Sequence, residues 1–203
     1  MKKFKYLTLD RQFASGGREI GQKVAQKLGI PFHNQDILEL AAKNLGVSLN
    51  KAQKSEETIA SSVIYSLSLA SNPTLYDNGV VPMADKLFFE EAKLIHEFAE
   101  KEESCVVVGR CSDAILGNRP DCLKVFICSE MQPRINRAIE QYGLKSNEAE
   151  RMLRKNDRRR TSFYEFNTDR RWGFRENYHL ILNSASLGID TCVDIIVNLM
   201  QQA

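Results

Sequence analysis

The sequence predicts an α/β fold with a doubly wound parallel sheet of about five strands. Two observations carry this prediction: apolar runs of strand length alternate with segments of helical spacing, and glycines lie at many of the joints between them. Strands that alternate with helices pair in parallel, because each helix returns the chain across the sheet in a right-handed crossover. The 203 residues, 43% of them hydrophobic, suffice for one domain, residues 1–203, with a substantial core.

Each predicted strand is a short apolar run, and each predicted helix has apolar residues three or four positions apart. The predicted strands are residues 5–9, 29–32, 104–108, 123–128 and 179–183. The predicted helices are residues 17–28, 36–44, 84–102 and 131–142, a charged helix that begins at 146, and a closing helix that includes 193–200. The runs at 5–9 and 104–108 are mostly apolar, which is typical of buried parallel strands.

A glycine turn joins the first strand to the first helix, in residues 13–19 with the sequence FASGGRE. The first turn of a helix leaves backbone N–H groups without partners, and glycines let a phosphate approach them closely. Against the Walker A pattern G-x-x-x-x-G-K-S/T, Arg11 occupies the first glycine, Gly17 the lysine and Arg18 the Ser/Thr position. The stretch predicts a phosphate site in which Arg18 supplies the charge of the missing lysine. A glycine turn that only connects a buried strand to a helix is the alternative.

A charged residue follows the buried run at 104–108, which ends in Gly109-Arg110. Open α/β sheets bind ligands in the crevice outside the carboxyl ends of their strands. Arg110 is therefore a candidate binding residue, with an ordinary salt bridge as the alternative.

Residues 46–83 differ in composition from the rest of the chain. The stretch is rich in Ser, Ala and Asn, and Pro73, Gly79 and Pro82 interrupt it. A helix start at 55–57 is predicted, followed by an apolar face formed by Ile59, Val63, Ile64, Leu67 and Leu69. Two interpretations remain equal: a mobile inserted subdomain that covers a substrate or joins a second subunit as a homodimer, or a helical hairpin packed on the core.

Residues 151–175 form the most charged part of the chain. They contain nine Lys and Arg residues but three acids, a local balance of +6 against +2 for the whole chain. Four aromatic residues are interleaved with these charges. A run this one-sided repels itself unless an anion neutralises it, and the candidate anions are a polyphosphate or a nucleic acid.

The five cysteines include no C-x-x-C pair, and three of them lie in or beside apolar runs. We expect small buried hydrophobic residues in a reducing compartment rather than a disulfide framework or a metal site. No long apolar segment follows the amino terminus, so neither a signal peptide nor a membrane span is expected. A cytoplasmic location is the prediction.

Taken in order, several motifs resemble the cytidylate kinase-like branch of the P-loop nucleoside monophosphate kinases. They are SGGREI at 15–20, LGIPF at 28–32, VVGR at 107–110, RPDCLKVF at 119–126, RWG at 171–173 and ENY at 176–178. The resemblance implies a core sheet, an NMP-binding insert near 46–83 and an Arg-rich LID near 145–175. It further implies ATP and Mg²⁺ as cofactors and a small nucleotide-like acceptor.

The resemblance also assigns candidate residues. Donor phosphates are expected on Ala14, Ser15, Gly16, Gly17, Arg18 and Glu19, with Glu19 as the Mg²⁺ ligand. The acceptor is expected at Asn34, Arg110 and Asp113. The expected catalytic residues are Arg18, Arg154, Asp157 and Arg160. Arg160 shares a helix face with Asp157, and Arg160 and Arg154 are predicted to point inward while Arg158 or Arg159 is exposed.

Two other classes of function fit the sequence. A non-catalytic nucleotide sensor or scaffold could keep the fold and have lost turnover together with the lysine. A nucleic-acid binder could use residues 151–175, although the rest of the chain is not basic.

Overall fold

The computed structural model describes residues 4–60, 81–101 and 104–201. In this part of the chain, five parallel strands form one sheet: β1 (Tyr6–Arg11), β2 (Phe32–His33), β3 (Cys105–Val108), β4 (Cys122–Cys128) and β5 (Leu180–Asn183). Their order across the sheet is β2-β3-β1-β4-β5. The predicted doubly wound α/β fold is confirmed, with β1 at the centre.

The first strand is longer than predicted. The prediction ended it at residue 9, whereas β1 continues through Asp10 and Arg11, which pair with Phe126 and Ile127 of β4. Main-chain pairing with a long neighbour extends the strand past the point where the apolar pattern stops. Two charged side chains therefore lie at the carboxyl edge of the sheet.

Helices cover both faces of the sheet. They are α1 (Gly17–Leu28), α2 (Asp36–Asn44), α3 (Leu49–Ala60), α4 (Met83–Lys101), α5 (Ser112–Ile115), α6 (Met131–Tyr142), α7 (Ser146–Thr168), α8 (Ser184–Leu187) and α9 (Ile189–Gln201). Leu7 and Leu9 of β1 pack with α1 and α9 on one face, and Tyr6 packs with α2 and α4 on the other. The alternation of side chains along a strand thus fixes the two layers of the core.

The region predicted as an insert begins with a helix that starts earlier than expected. The prediction placed this start at 55–57, but α3 begins at Leu49. The hydroxyl of Ser48 accepts a hydrogen bond from the N–H of Lys51 at 3.3 Å, which caps the first turn. The predicted apolar face at Val63, Ile64, Leu67 and Leu69 lies outside the described residues.

The predicted LID region, 145–175, contains a single 23-residue helix, α7, and a short 3₁₀ turn, Arg175–Asn177, follows it. Helix α7 packs against α3 and α6. None of the helices in the described ranges is long and apolar enough to cross a membrane. All five cysteines are free thiols, four of them buried and Cys128 half-buried.

Candidate functional site

The loop between β1 and α1 has the backbone of an anion site. Ala14 has φ of +59° and Gly16 has φ of +80°, and α1 begins at Gly17 without a side chain that caps its first N–H groups. The φ of +80° at Gly16 favours glycine, and a Cβ atom there would also lie 2.4 Å from Cδ1 of Ile189. The first turn of α1 therefore presents uncapped backbone donors at the positive end of the helix.

A cavity of about 550 Å³ opens beside this loop, at the carboxyl edge of the sheet. Among the described residues that line it are five arginines and no Asp or Glu: Arg11, Arg18, Arg110, Arg159 and Arg160. Arg18 is exposed on the first turn of α1, and Arg110 follows β3. The end of β1, the first turn of α1, the residues after β3 and helix α7 thus all contribute positive charge to the cavity. This arrangement suits a compact polyanion.

Arg11 begins the loop 11–19 on which the donor phosphates were expected, but no role of its own was predicted for its side chain. Its side chain runs past two glycines: a Cβ at Gly17 would lie 2.5 Å from Cβ of Arg11, and a Cβ at Gly109 would lie 2.2 Å from Nη1 of Arg11. Its Nη2 donates to the side-chain oxygen of Asn34 at 3.5 Å. Arg11 has the same sequence signal as Arg110, because each is a charged residue at the end of a buried strand.

Arg110 lines the cavity and also forms an ion pair. Its Nη1 lies 3.0 Å from Oε1 of Glu91, a fully buried residue of α4. Burial, together with repulsion from Arg11, lowers the pKa of Arg110 to about 10. Burial also raises the pKa of the Glu91 carboxyl. The salt-bridge alternative is therefore observed, and the same side chain lines the cavity, where its role as a binding residue stays a prediction.

Arg160 is the arginine of α7 that reaches the loop. Its Nη1 donates to the main-chain oxygen of Arg11 at 2.7 Å, and its guanidinium lies 5.7 Å from the ring centre of Phe13. Burial lowers the pKa of Arg160 to about 9, and the charge of Arg11 adds to this effect. The predicted inward direction of Arg160 is confirmed.

Arg154 does not turn inward, so that part of the prediction is wrong. It is exposed, and its guanidinium contacts Glu150 at 2.6 Å, one turn earlier on α7. Residues 154 and 160 are six positions apart, so on a helix their side chains point about 120° away from each other. Arg158 is exposed as expected, whereas Arg159 faces the cavity.

Asp157 contacts the loop rather than the cavity. Its Oδ1 accepts from the N–H of Phe13 at 2.7 Å, and its Oδ2 accepts from Arg134 of α6. Arg134 is 3% exposed, and its Nε donates to the main-chain oxygen of Phe13 at 2.7 Å. Asp157, expected among the catalytic residues, thus ties α6 and α7 to the loop, and a part in catalysis stays a prediction.

The sequence of this chain also matches a known protein family. The sequence pattern of the cytidylate kinase-like family matches residues 6–186. The chain belongs to the cytidylate kinase-like family. No curated protein sequence matches it.

Solved structures show the fold that this family member shares with P-loop kinases. An uncharacterized protein from Eubacterium ventriosum has 22% identity and a TM-score of 0.74, covering 98% of this chain and 99% of its own. Shikimate kinase from Bacteroides thetaiotaomicron has 16% identity and a TM-score of 0.54, covering 97% and 98%. Shikimate kinase from Acinetobacter baumannii, solved with shikimate, has 13% identity and a TM-score of 0.52, covering 98% and 94%.

Two acids that the family resemblance assigned to the site do not line the cavity. The carboxylate of Glu19 pairs with Arg137 and, at 3.2 Å, with Lys23 on the outer side of α1. Asp113 is 3% exposed and accepts a hydrogen bond from the hydroxyl of Tyr164 at 2.6 Å. Burial raises the pKa of Asp113 to about 6, Asp10 adds to the rise, and the Tyr164 bond opposes it. Of the three residues predicted to bind the acceptor, Asn34 and Arg110 line the cavity and Asp113 does not.

The donor groups at the cavity do not suit Mg²⁺ bound by the protein. Mg²⁺ prefers carboxylate oxygens together with substrate phosphates and water. The described cavity residues offer arginine and amide side chains, and Glu19 is held by two cations. No group of three or more His, Cys, Asp or Glu residues in the described ranges could hold a metal ion. The Mg²⁺ role of Glu19 stays a prediction, and in the structure its carboxylate pairs with Arg137 and Lys23.

Proposed function

We propose that this family member transfers the γ-phosphoryl group of ATP to a small nucleotide-like acceptor. The observation that carries the proposal is the cavity in which five arginines, without an acid among the described lining residues, face the uncapped first turn of α1. Arginine forks match phosphate oxygens, and a helix N-terminus favours negative charge. A polyphosphate is small enough for this cavity and carries the negative charge that its arginines need.

The donor belongs at the loop side of the cavity. The backbone N–H groups of Ala14, Gly16 and Gly17 would bind the phosphate oxygens, since no side chain caps the first turn of α1. Arg18 would lie against the same phosphates from the first turn of α1. Asp157 and Arg134 would hold the loop in this shape through Phe13.

The acceptor belongs at the other side, where Asn34 and Arg110 follow β2 and β3. The ion pair with Glu91 would keep the Arg110 guanidinium in place for an acceptor phosphate. Gln35 and Gln53 also line this side and offer amides for hydrogen bonds to a base or sugar. We infer a monophosphate acceptor, because the guanidinium of Arg110 would bind one phosphate group and Arg11 beside it would remain available for the transferred phosphoryl group.

In the transfer itself, an acceptor oxygen forms a bond to the γ-phosphorus while the bond from that phosphorus to the bridging oxygen of ATP breaks. The electron pair of the broken bond leaves with ADP. Phosphoryl transfer depends mainly on positioning and charge stabilisation. Arg160 and Arg11 would stabilise the charge on the transferred group.

The test is ADP release by the purified protein with ATP and a panel of nucleoside monophosphates, with and without Mg²⁺. We expect one monophosphate to stimulate ADP release well above the rate with ATP alone. Arg151→Ala, which breaks a 3.8 Å contact with Glu148 on the exposed face of α7, is a matched control and should behave like the wild type. ADP release that no monophosphate stimulates would contradict the proposal.

One observation favours a second candidate, a nucleotide sensor that binds but does not turn over. The loop has Gly17 at the lysine position, and the described cavity residues include no carboxylate. Calorimetry separates the two: tight ATP binding without ADP release for any monophosphate supports the sensor, and stimulated ADP release supports the kinase.

A further inference from the structure

Two residues of the loop between β1 and α1, Arg11 and Gly17, depart from the Walker A pattern, and the side chain of Arg11 occupies the space that a lysine at position 17 would need. The Walker A pattern has glycine at position 11 and lysine at position 17 of this sequence, and the chain has arginine and glycine instead. A Cβ atom at Gly17 would lie 2.5 Å from Cβ and 2.9 Å from Cγ of Arg11, closer than real Cβ contacts come. A lysine at 17 therefore has no room while Arg11 is present.

The side chain of Arg11 continues to the place where a phosphate-binding cation is needed. It passes Gly109, where a Cβ would lie 2.2 Å from its Nη1, and it lines the cavity together with Arg110 and Arg160. Both glycines thus leave a channel for this one side chain.

The guanidinium of Arg11 has weak partners for its position. Its Nη2 lies 3.5 Å from Oδ1 of Asn34 and its Nη1 lies 3.7 Å from Oδ1 of Asp10, both longer than a good charge-assisted bond. Burial lowers the pKa of Arg11, Arg18 adds to this by repulsion, and Asp10 opposes it. The positive charges of Arg11, Arg110 and Arg160 repel one another across the cavity, and a bound anion would reduce this electrostatic repulsion.

We propose that Arg11 is the cation that binds the terminal phosphates of the donor, and that it takes both the charge and the space of the missing lysine. The inference rests on the proposed function for the identity of the donor but needs only a polyphosphate as ligand. It competes with the expectation that Arg18 supplies this charge. Arg18 is exposed at the cavity wall, whereas Arg11 is mostly buried beneath it.

The first test is calorimetry with inorganic tripolyphosphate and with ATP, on proteins shown to be folded by circular dichroism. Arg11→Ala should weaken binding of both by about 10- to 150-fold, the loss of a hydrogen bond to a charged group. Arg18→Ala should weaken binding by less than about threefold, as expected for an exposed charge. Arg151→Ala is the control for removal of an exposed arginine.

The second test exchanges the two residues. In the double variant Arg11→Gly with Gly17→Lys, the lysine has the room that Arg11 vacates, and tripolyphosphate affinity should return to within about threefold of the wild type. Gly17→Lys alone should fold poorly or bind weakly, because the new side chain would overlap that of Arg11. If Arg11→Ala does not fold, the folded double variant decides the question.

The outcomes separate this inference from the proposed function. Tripolyphosphate binding that Arg11→Ala abolishes supports the inference even if no monophosphate is phosphorylated, a result that would overturn only the kinase proposal. Equal affinity in Arg11→Ala and wild type, or a loss confined to Arg18→Ala, overturns the inference and leaves the kinase proposal standing. A wild-type protein that binds neither tripolyphosphate nor ATP overturns both.

Discussion

The contact between Asp157 and the loop that joins β1 to α1 offers a direct test of what stabilises this structure. Asp157 of α7 accepts from the N–H of Phe13 and from Arg134 of α6, and Arg134 donates to the carbonyl of Phe13. The three groups form a closed network that joins two helices to the loop. We therefore predict that Asp157→Ala destabilises the fold strongly, although residue 157 is not in the hydrophobic core.

The size of the stability loss follows from the burial of the ion pair between Arg134 and Asp157. Arg134 has a 3% exposed side chain and Asp157 a 19% exposed one, so the variant leaves a buried guanidinium without its carboxylate. Breaking a buried ion pair costs about 3–5 kcal/mol, and partial exposure of Asp157 favours the lower end, about 3 kcal/mol. For a chain of this size, 3 kcal/mol lowers Tm by about 6–12 °C.

Urea denaturation and thermal unfolding of the variants provide the assay. Glu150→Ala is the matched control, because it breaks an exposed ion pair on the same helix and should cost less than about 1 kcal/mol. Arg134→Met with Asp157→Ala removes both charges and should lie within about 2 kcal/mol of the wild type. A double variant that costs the sum of the two single variants would refute the network, as would a loss below about 1 kcal/mol for Asp157→Ala alone.

Three further predictions concern the cavity and the acid beside it. Arg110→Ala should raise the KM of the acceptor while calorimetry shows unchanged ATP binding; loss of ATP binding by the folded variant would assign Arg110 to the donor. Arg160→Lys should lower kcat by about 10³-fold or more with a smaller change in the KM of ATP, since an ammonium group lacks the planar fork. Asp113→Asn should stabilise the fold at neutral pH. The native pKa of Asp113, about 6, lies above its ordinary 3.8, so wild-type stability falls as pH rises from about 4 to about 6, by up to about 3 kcal/mol. Urea titrations at pH 4 and pH 7 should show the gain only at pH 7, and an equal difference at both would contradict this origin.

The order of strands and helices could be predicted because it depends on local patterns. The runs at 104–108 and 123–128 became β3 and β4 with ends within one residue of the prediction. Glycines at 29 and 143 ended α1 and α6 as expected, both with positive φ. The end of β1 was missed because Asp10 and Arg11 are charged, and only their pairing with β4 makes them strand residues.

The contacts of the site were harder to predict because they depend on how helices are rotated relative to the sheet. A helical period shows which residues share a face, but it does not show which face meets the loop. Asp157 and Arg160 were placed on one face, and both do contact the loop. Arg154 was grouped with them, although Glu150 one turn away offered it an exposed partner. Glu91 and Arg134 had no signal in sequence, since each is buried by residues distant along the chain.

The distribution of charge on α7 favours a compact polyphosphate over a nucleic acid, the two anions that the sequence left open. The count of nine basic residues in 151–175 began just after Glu148 and Glu150, which contact Arg151 and Arg154 within one turn. Part of the expected self-repulsion is thus relieved inside the helix. Only Arg159 and Arg160 of that run line the cavity, where they meet three arginines from other elements. A duplex would need a continuous basic face along the helix, whereas positive charge converging from several elements on about 550 Å³ suits a compact polyphosphate.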